Sequence, residues 1–313
     1  MALFSPSSRV VEPSVAQAMP EAAARTGLGV AIQAYVNLTK PRIILLLLIT
    51  TLGGMFIAAR SVPPIELIVA TMIGGAFAAG GANAINCYID RDIDLMMHRT
   101  RRRALPAQRV SPRSALIFGL VLGVLSFVVL TIGANLLAAA LAQFGLLFYV
   151  LIYTGYLKRS TPQNIVIGGA AGAMPPVVGW AAVTGSVDLM ALYLFAIVFF
   201  WTPPHFWALS LITAQDYARA KIPMLPLVFG EAETRRQIVL YSIVMVTLSV
   251  FIFTGHSLGL IYLGSAIVLG IGLMVYAVRL LQNGSLIRAR QMFMYTNYYL
   301  AFLFLAMAVD RMV

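Results

Sequence analysis

The chain has 313 residues, of which 60% are hydrophobic and only 11% charged, with a mean hydropathy of +0.89. An average soluble domain carries roughly a quarter charged residues, so this composition excludes a soluble globular enzyme, and the apolar fraction excludes disorder. A net charge of +11 would suit a nucleic-acid partner, but in a membrane protein charge must first be assigned to a side.

Residues 1–30 mix Pro, Ser, Ala and both charge signs without periodicity, and read as a disordered tail; the domain boundary is set at 33/34. Glu12 and Glu21 in this tail argue against an acid-poor organellar transit peptide. Apolar runs then follow at 43–60, 65–86, 115–133, 136–156, 164–183, 190–212, 237–255, 258–280 and 292–311. Each is long enough to cross a bilayer, which takes about 20 residues. The first is too long for a removable signal. The expected fold is all-α: a multi-pass bundle of about nine helices, residues 34–313, around a central cavity open to the cytoplasmic side. One cysteine, Cys87, excludes a disulfide framework, a CxxC redox pair and a c-type haem attachment motif.

All but Arg60 and Arg311 of the 22 Lys and Arg residues fall in the N-terminal flank or in loops on that same side. The positive-inside rule places that side in the cytoplasm. The expected location is the bacterial cytoplasmic membrane, a mitochondrial inner membrane being the weaker alternative. Most of the charge is therefore topological, and nucleic acid drops out. Topology does not explain the acids. Of the nine outside the tail, six lie in two cytoplasmic loops: Asp90, Asp92, Asp94, Asp216, Glu231 and Glu233.

The first of these loops follows the second span. At 3.6 residues per turn, Asn83, Asn86, Asp90 and Asp94 fall within an arc of about 80° and Asp92 points away. Hard cations such as Mg²⁺ take one or two carboxylates and leave the other positions to water and phosphate oxygens. The row therefore suits a diphosphate held through Mg²⁺ on Asn86, Asp90 and Asp94. A solvated helix end would account for Asp92 but not for amides at membrane depth, where polar groups are costly. Arg99, Arg101, Arg102 and Arg103 follow, offering forked donors to phosphate. Some of these are topogenic only.

Asn83, Asn86, Cys87, Asp90, Asp92, Asp94, Met97, Arg99, Thr100 and Arg103, at these spacings, resemble the first Asp-rich motif of the UbiA-type intramembrane prenyltransferases. The finer pattern is similar to one branch of that family, the haem O synthases (protohaem IX farnesyltransferases). Ala104-Leu105-Pro106 stands where that branch usually has Pro-Leu-Pro. After the sixth span the chain reads Trp201-Thr-Pro-Pro204-His205-Phe206-Trp207, then Asp216-Tyr217 and Pro223-Met-Leu-Pro226. Other UbiA-type enzymes carry a second Asp-rich row here. This chain keeps Asp216, and its Pro-Pro-His-Phe-Trp run resembles the same branch. The resemblance covers about residues 34–313.

Pro203-Pro204 is expected to break or kink the sixth helix, leaving His205 at the break. Three roles are open to His205: iron ligand, proton relay or helix cap. His98, in a solvated loop, and His256, in an external one, are weaker candidates. Lys158 and Arg159 after the fourth span either complete a diphosphate clamp or are topogenic. The small residues around Gly168, Gly169 and Gly172 suit close helix packing. Spans 1–4 and 5–8 each place a polar constellation after their second helix, an approximate repeat with the ninth helix left over.

The assigned site comprises Asp90, Asp94, His205 and Asp216 as catalytic residues, with Asn83, Asn86, Arg99, Arg103, Lys158 and Arg159 binding substrate. What the resemblance implies is transfer of the farnesyl group of farnesyl diphosphate to a vinyl group of protohaem IX. It also implies Mg²⁺ as cofactor and the lipid bilayer as environment, with a haem A synthase or terminal-oxidase assembly as a further partner. An aromatic or quinone-precursor acceptor is the rival within the enzyme class. A transporter, which approximate repeats and broken helices would also suit, is the rival outside it, although the acids and arginines gather at one membrane face rather than at the midplane.

Overall fold

The structure, a computed structural model, describes residues 27–255 and 257–313. Among these residues every regular element is helical, and nine helices are long and apolar enough to cross a membrane. The spans are α2 (Pro41–Ala59), α3 (Ile65–Ile89), α5 (Pro112–Gly133), α6 (Leu136–Ser160), α7 (Asn164–Thr184), α8 (Leu189–Ile212), α11 (Gly230–Gly255), α12 (Leu260–Gln282) and α13 (Leu286–Met312). A short helix α1 (Leu28–Thr39) precedes them, and three more lie between them: α4 (Arg91–Met96), α9 (Ala214–Arg219) and α10 (Leu225–Val228). Each expected crossing lies on one of these spans. Most of the tail lies outside the described residues, as does His256. Its last part is a correction: α1 starts at Leu28, because Ala34 and Leu38 on one helical face bury against Ala84 and Cys87 of α3.

Local sequence explains where the helices start. The side chains of Ser111, Asn135, Asp188 and Ser285 accept hydrogen bonds from the first free amides of α5, α6, α8 and α13. Outward-facing Ile117, Val124, Ile132, Leu151 and Ile271 are exposed, as a lipid-facing surface requires.

Successive spans pack on one another in chain order, and α13 returns to α2, so the nine close into a ring. Contacts between α2 and α7 and between α8 and α13 cross its interior. Accordingly α7 and α8 are the most enclosed, with 67% and 56% of their apolar windows buried. Pro175-Pro176 and Pro203-Pro204 lie inside continuous helices, so the expected break in the sixth span does not occur. Two adjacent prolines remove only two amide donors, and burial of Trp201 to His205 on several neighbours outweighs that loss.

The α2–α7 crossing brings backbone against backbone. A methyl group at Gly54 would collide with the Pro176 carbonyl oxygen, and one at Gly179 with that of Thr51. Gly172, on the same α7, has open space around it. Gly179→Ala should therefore destabilise the detergent-solubilised protein by about 1–3 kcal/mol through overpacking. Gly172→Ala should be neutral or stabilise by up to about 1 kcal/mol. Thermal unfolding of the two variants checks the difference.

Candidate active site

Helix α3 ends at Ile89, and Asp90 forms the link to α4 with φ −83° and ψ 5°. The amide of Asp94 still donates to the Asp90 carbonyl at 2.8 Å, so the helical register carries across the junction. That is why Asn83, Asn86, Asp90 and Asp94 are all buried together, while the Asp92 side chain is 57% exposed.

Asp90 is the centre of the arrangement, at 1% exposure. Its Oδ2 accepts from Lys158 Nζ at 2.5 Å and from Asn86 Nδ2 at 2.8 Å. Asn86 Nδ2 also reaches Thr154 Oγ1 at 3.1 Å, and Asn86 Oδ1 accepts from Lys40 Nζ at 2.7 Å. Asp94, equally buried, accepts at both oxygens from Arg103 Nη1, at 3.1 and 3.0 Å. The Thr100 hydroxyl donates to the Asp94 carbonyl at 2.8 Å and so fixes the turn that delivers Arg103.

The backbone of α6 contributes to this geometry. It begins as an α-helix, widens to π-helical turns over Phe148–Leu157, and closes at Lys158–Ser160. Such wide turns concentrate at functional sites. Here the segment carries Thr154 and ends at Lys158, and it stacks Tyr149 on Tyr153 at 5.4 Å between ring centroids.

Other expected residues stand apart from this centre. Asn83 Nδ2 donates to the Thr39 carbonyl at 2.9 Å, pinning the α1–α2 junction. Arg159 turns outward and grips both oxygens of Asp92 at 2.7 Å, leaving its Nη2 3.8 Å from Asp90 Oδ1. The hydrogen bonds from Arg159 hold the Asp92 carboxyl down at about 2. This pair borders an outer groove of about 400 Å³ shared with Ile89, Arg91 and Gly155. Arg99 is exposed. Asp216 Oδ1 and Oδ2 accept from the backbone amides of His98 and Arg99 at 2.9 and 3.2 Å. It thereby fastens the arginine loop of the first half to α9 of the second.

His205 is 8% exposed on α8, seven residues before that helix ends, or about 10 Å deeper along its axis. Its Nδ1 lies 2.8 Å from Thr296 Oγ1 of α13.

Sequence reasoning missed Lys40, counting it as a flanking charge. It lies in the left-handed region at φ 56°, immediately before Pro41. A side chain there costs on the order of 1–3 kcal/mol, a strain that concentrates at functional sites. Burial of its ammonium in the bundle pushes its pKa down to about 8. A lysine directly before the proline that opens the first span was the available signal.

Asp90 Oδ1 is buried without a hydrogen-bond partner. A buried carboxylate oxygen left free beside a second buried carboxylate and an amide suits a hard divalent cation. Among the described residues no three His, Cys, Asp or Glu side chains converge as a closed metal cage. A cation here would complete its shell from substrate and water, as Mg²⁺ usually does.

The family model that matches the chain is that of the UbiA prenyltransferase family, over residues 47–305. The chain belongs to the UbiA prenyltransferase family. The protoheme IX farnesyltransferase of Chloroflexus aurantiacus is 53% identical over 89% of this chain, which spans only 48% of that relative. The protoheme IX farnesyltransferase of Symbiobacterium thermophilum is 52% identical over 90% of this chain and 95% of its own length. The chain thus spans about half of some relatives and nearly all of others. Among solved UbiA-fold structures, a digeranylgeranylglyceryl phosphate synthase matches with TM-score 0.74 and 18% identity, covering 90% of this chain and 99% of its own. A UbiA homologue from Archaeoglobus fulgidus bound to GPP and Mg²⁺ matches with TM-score 0.60 and 17% identity, covering 88% and 99%. Membership in this family sets the transporter reading aside, and the two structures share the fold.

The Asp216 latch makes a direct prediction. Asp216→Ala should speed amide hydrogen exchange at residues 98–103 by about tenfold, the loss of roughly one hydrogen-bond energy. Exchange in α3 should stay unchanged.

Proposed function

We propose that the chain is a protohaem IX farnesyltransferase, converting farnesyl diphosphate, protohaem IX and water to haem O and diphosphate. The observation that carries the reading is the buried Asp90, held by Lys158 and Asn86 with one oxygen unpartnered. The relatives' shared name and the haem-branch sequence around His205 support the choice of acceptor.

Asp90 and Asp94 would hold Mg²⁺, joined by Asn86 once its Oδ1 is released from Lys40; the metal when bound supplies positive charge against the diphosphate. Lys158 and Arg103 stand on these carboxylates and are placed to turn to phosphate oxygens as the leaving group gains charge. Lys40 holds the Asn86 carbonyl oxygen, which keeps the amide Nδ2 facing Asp90. Arg99 is exposed on the latched loop, where it would meet a soluble head group. Depth along α8 separates His205 from the loop, which suits a planar acceptor set further into the membrane.

In the reaction the C1–O bond of farnesyl diphosphate breaks and diphosphate takes the electron pair. The terminal vinyl carbon of protohaem IX bonds to C1. Water then adds at the inner vinyl carbon and releases a proton, leaving the hydroxyethylfarnesyl group. The site lies at the membrane face carrying most of the basic residues, which we assign to the cytoplasm of a bacterium, with the N-terminus on that side. A haem A synthase or terminal-oxidase assembly would receive the product.

Replacing Asp90 or Asp94 by Asn preserves shape and removes the charge. Each should lower kcat/KM for farnesyl diphosphate by about 10²-fold or more, with the protein still folded and inserted. Asp92→Asn, on the exposed outer pair, should stay within about tenfold of the parent. Equal losses in all three variants would contradict the assignment.

A further inference from the structure

The His205 ring is stacked between Trp201 and Phe293, at centroid distances of 4.2 and 4.6 Å and interplanar angles of 19° and 29°. Stacking fixes the plane of the ring but not which nitrogen carries the proton. Helix α13 decides that. His205 Nδ1 lies 2.8 Å from Thr296 Oγ1, and the same hydroxyl donates to the Phe293 carbonyl at 2.8 Å. A threonine hydroxyl has one proton and two lone pairs. With its proton on the Phe293 carbonyl, which also accepts from Asn297 Nδ2 at 2.8 Å, it turns a lone pair toward Nδ1 and so favours an N–H at that end of the ring. The opposite tautomer would place an N–H at Nε2, where no acceptor reaches it among the described residues. An N–H without an acceptor is rarely left in a membrane interior, whereas a bare lone pair costs less. Trp201 Nε1 donates to the Thr296 carbonyl at 2.7 Å, clamping this turn of α13 onto α8.

We propose that Thr296 is a positioning residue that holds His205 in the Nδ1–H form, so that Nε2 offers its lone pair to the iron of protohaem IX. This rests on the reading of His205 as the haem-side residue of the proposed reaction. A histidine that binds metal characteristically donates its other ring N–H to the protein. The acceptor here is a neutral hydroxyl rather than a carboxylate. It orients the ring without strongly raising its basicity, which suits a haem that must leave as product.

The chain has three histidines, so ¹⁵N-histidine labelling of the full protein in detergent gives a readable spectrum. The His205 signals are those lost in His205→Asn. The expected parent spectrum has a protonated Nδ1 and an unprotonated Nε2. Thr296→Val should shift His205 toward the Nε2–H form, and Thr296→Ser should restore the parent state. Ferric protohaem IX titrated into the same proteins should give an axial-histidine absorption spectrum, lost in His205→Asn. Affinity should fall about tenfold in Thr296→Val, the low end for loss of such a supporting bond, and recover in Thr296→Ser. An Nε2–H parent, or a Thr296→Val protein with unchanged tautomer and affinity, overturns the role of Thr296 and leaves His205 as haem ligand untouched. An unchanged haem spectrum in His205→Asn overturns the ligand reading itself.

Discussion

A carboxylate at 1% exposure inside a membrane protein is the constraint on which the site depends. Taking an ion out of water costs several kcal/mol even after relaxation, so Asp90 must be met by partners from other helices. Lys158 from α6 and Asn86 from α3 supply them, and Lys40 at the head of α2 orients the amide. Three spans are thereby tied at one end of the bundle. The compensation is incomplete at Oδ1, which is buried without a hydrogen-bond partner.

The second half is organised differently. Asp216 spends both oxygens on the backbone of the arginine loop, so it joins the halves rather than extending the acidic row. His205 lies deeper, among aromatic rings and the Thr296 hydroxyl, with Pro203-Pro204 carried inside a continuous helix. One half gathers charged side chains at one end of the bundle, the other sets aromatic rings around an imidazole deeper along α8. The division follows from the chemistry each half retains: lysines and carboxylates in the first, an imidazole between π faces in the second.

The nine spans were legible because hydropathy over about 20 residues is the strongest constraint a bilayer imposes. Legible too was the buried row from Asn83 to Asp94, since helical period alone separates it from Asp92. What the sequence left hidden depends on contacts between helices. Lys40 looked like any flanking cation, because its left-handed backbone and its reach to Asn86 exist only once α3 packs beside α2. Lys158 and Arg159 were indistinguishable as neighbours, yet the π-helical turns of α6 send one inward to Asp90 and the other outward to Asp92. The unbroken helix at Pro203-Pro204 reflects tertiary packing outweighing a local propensity, as does the helix that begins at Leu28.

The account's central claim is that this bundle joins a farnesyl group to protohaem IX. The most direct measurement is mass analysis of haems extracted from proteoliposomes holding the purified chain, farnesyl diphosphate, protohaem IX and Mg²⁺. The account predicts hydroxyethylfarnesyl haem in the complete mixture and none when the Asp90→Asn protein replaces the parent. Unmodified protohaem IX alone, with the prenyl group recovered on an added aromatic quinone precursor instead, would contradict it.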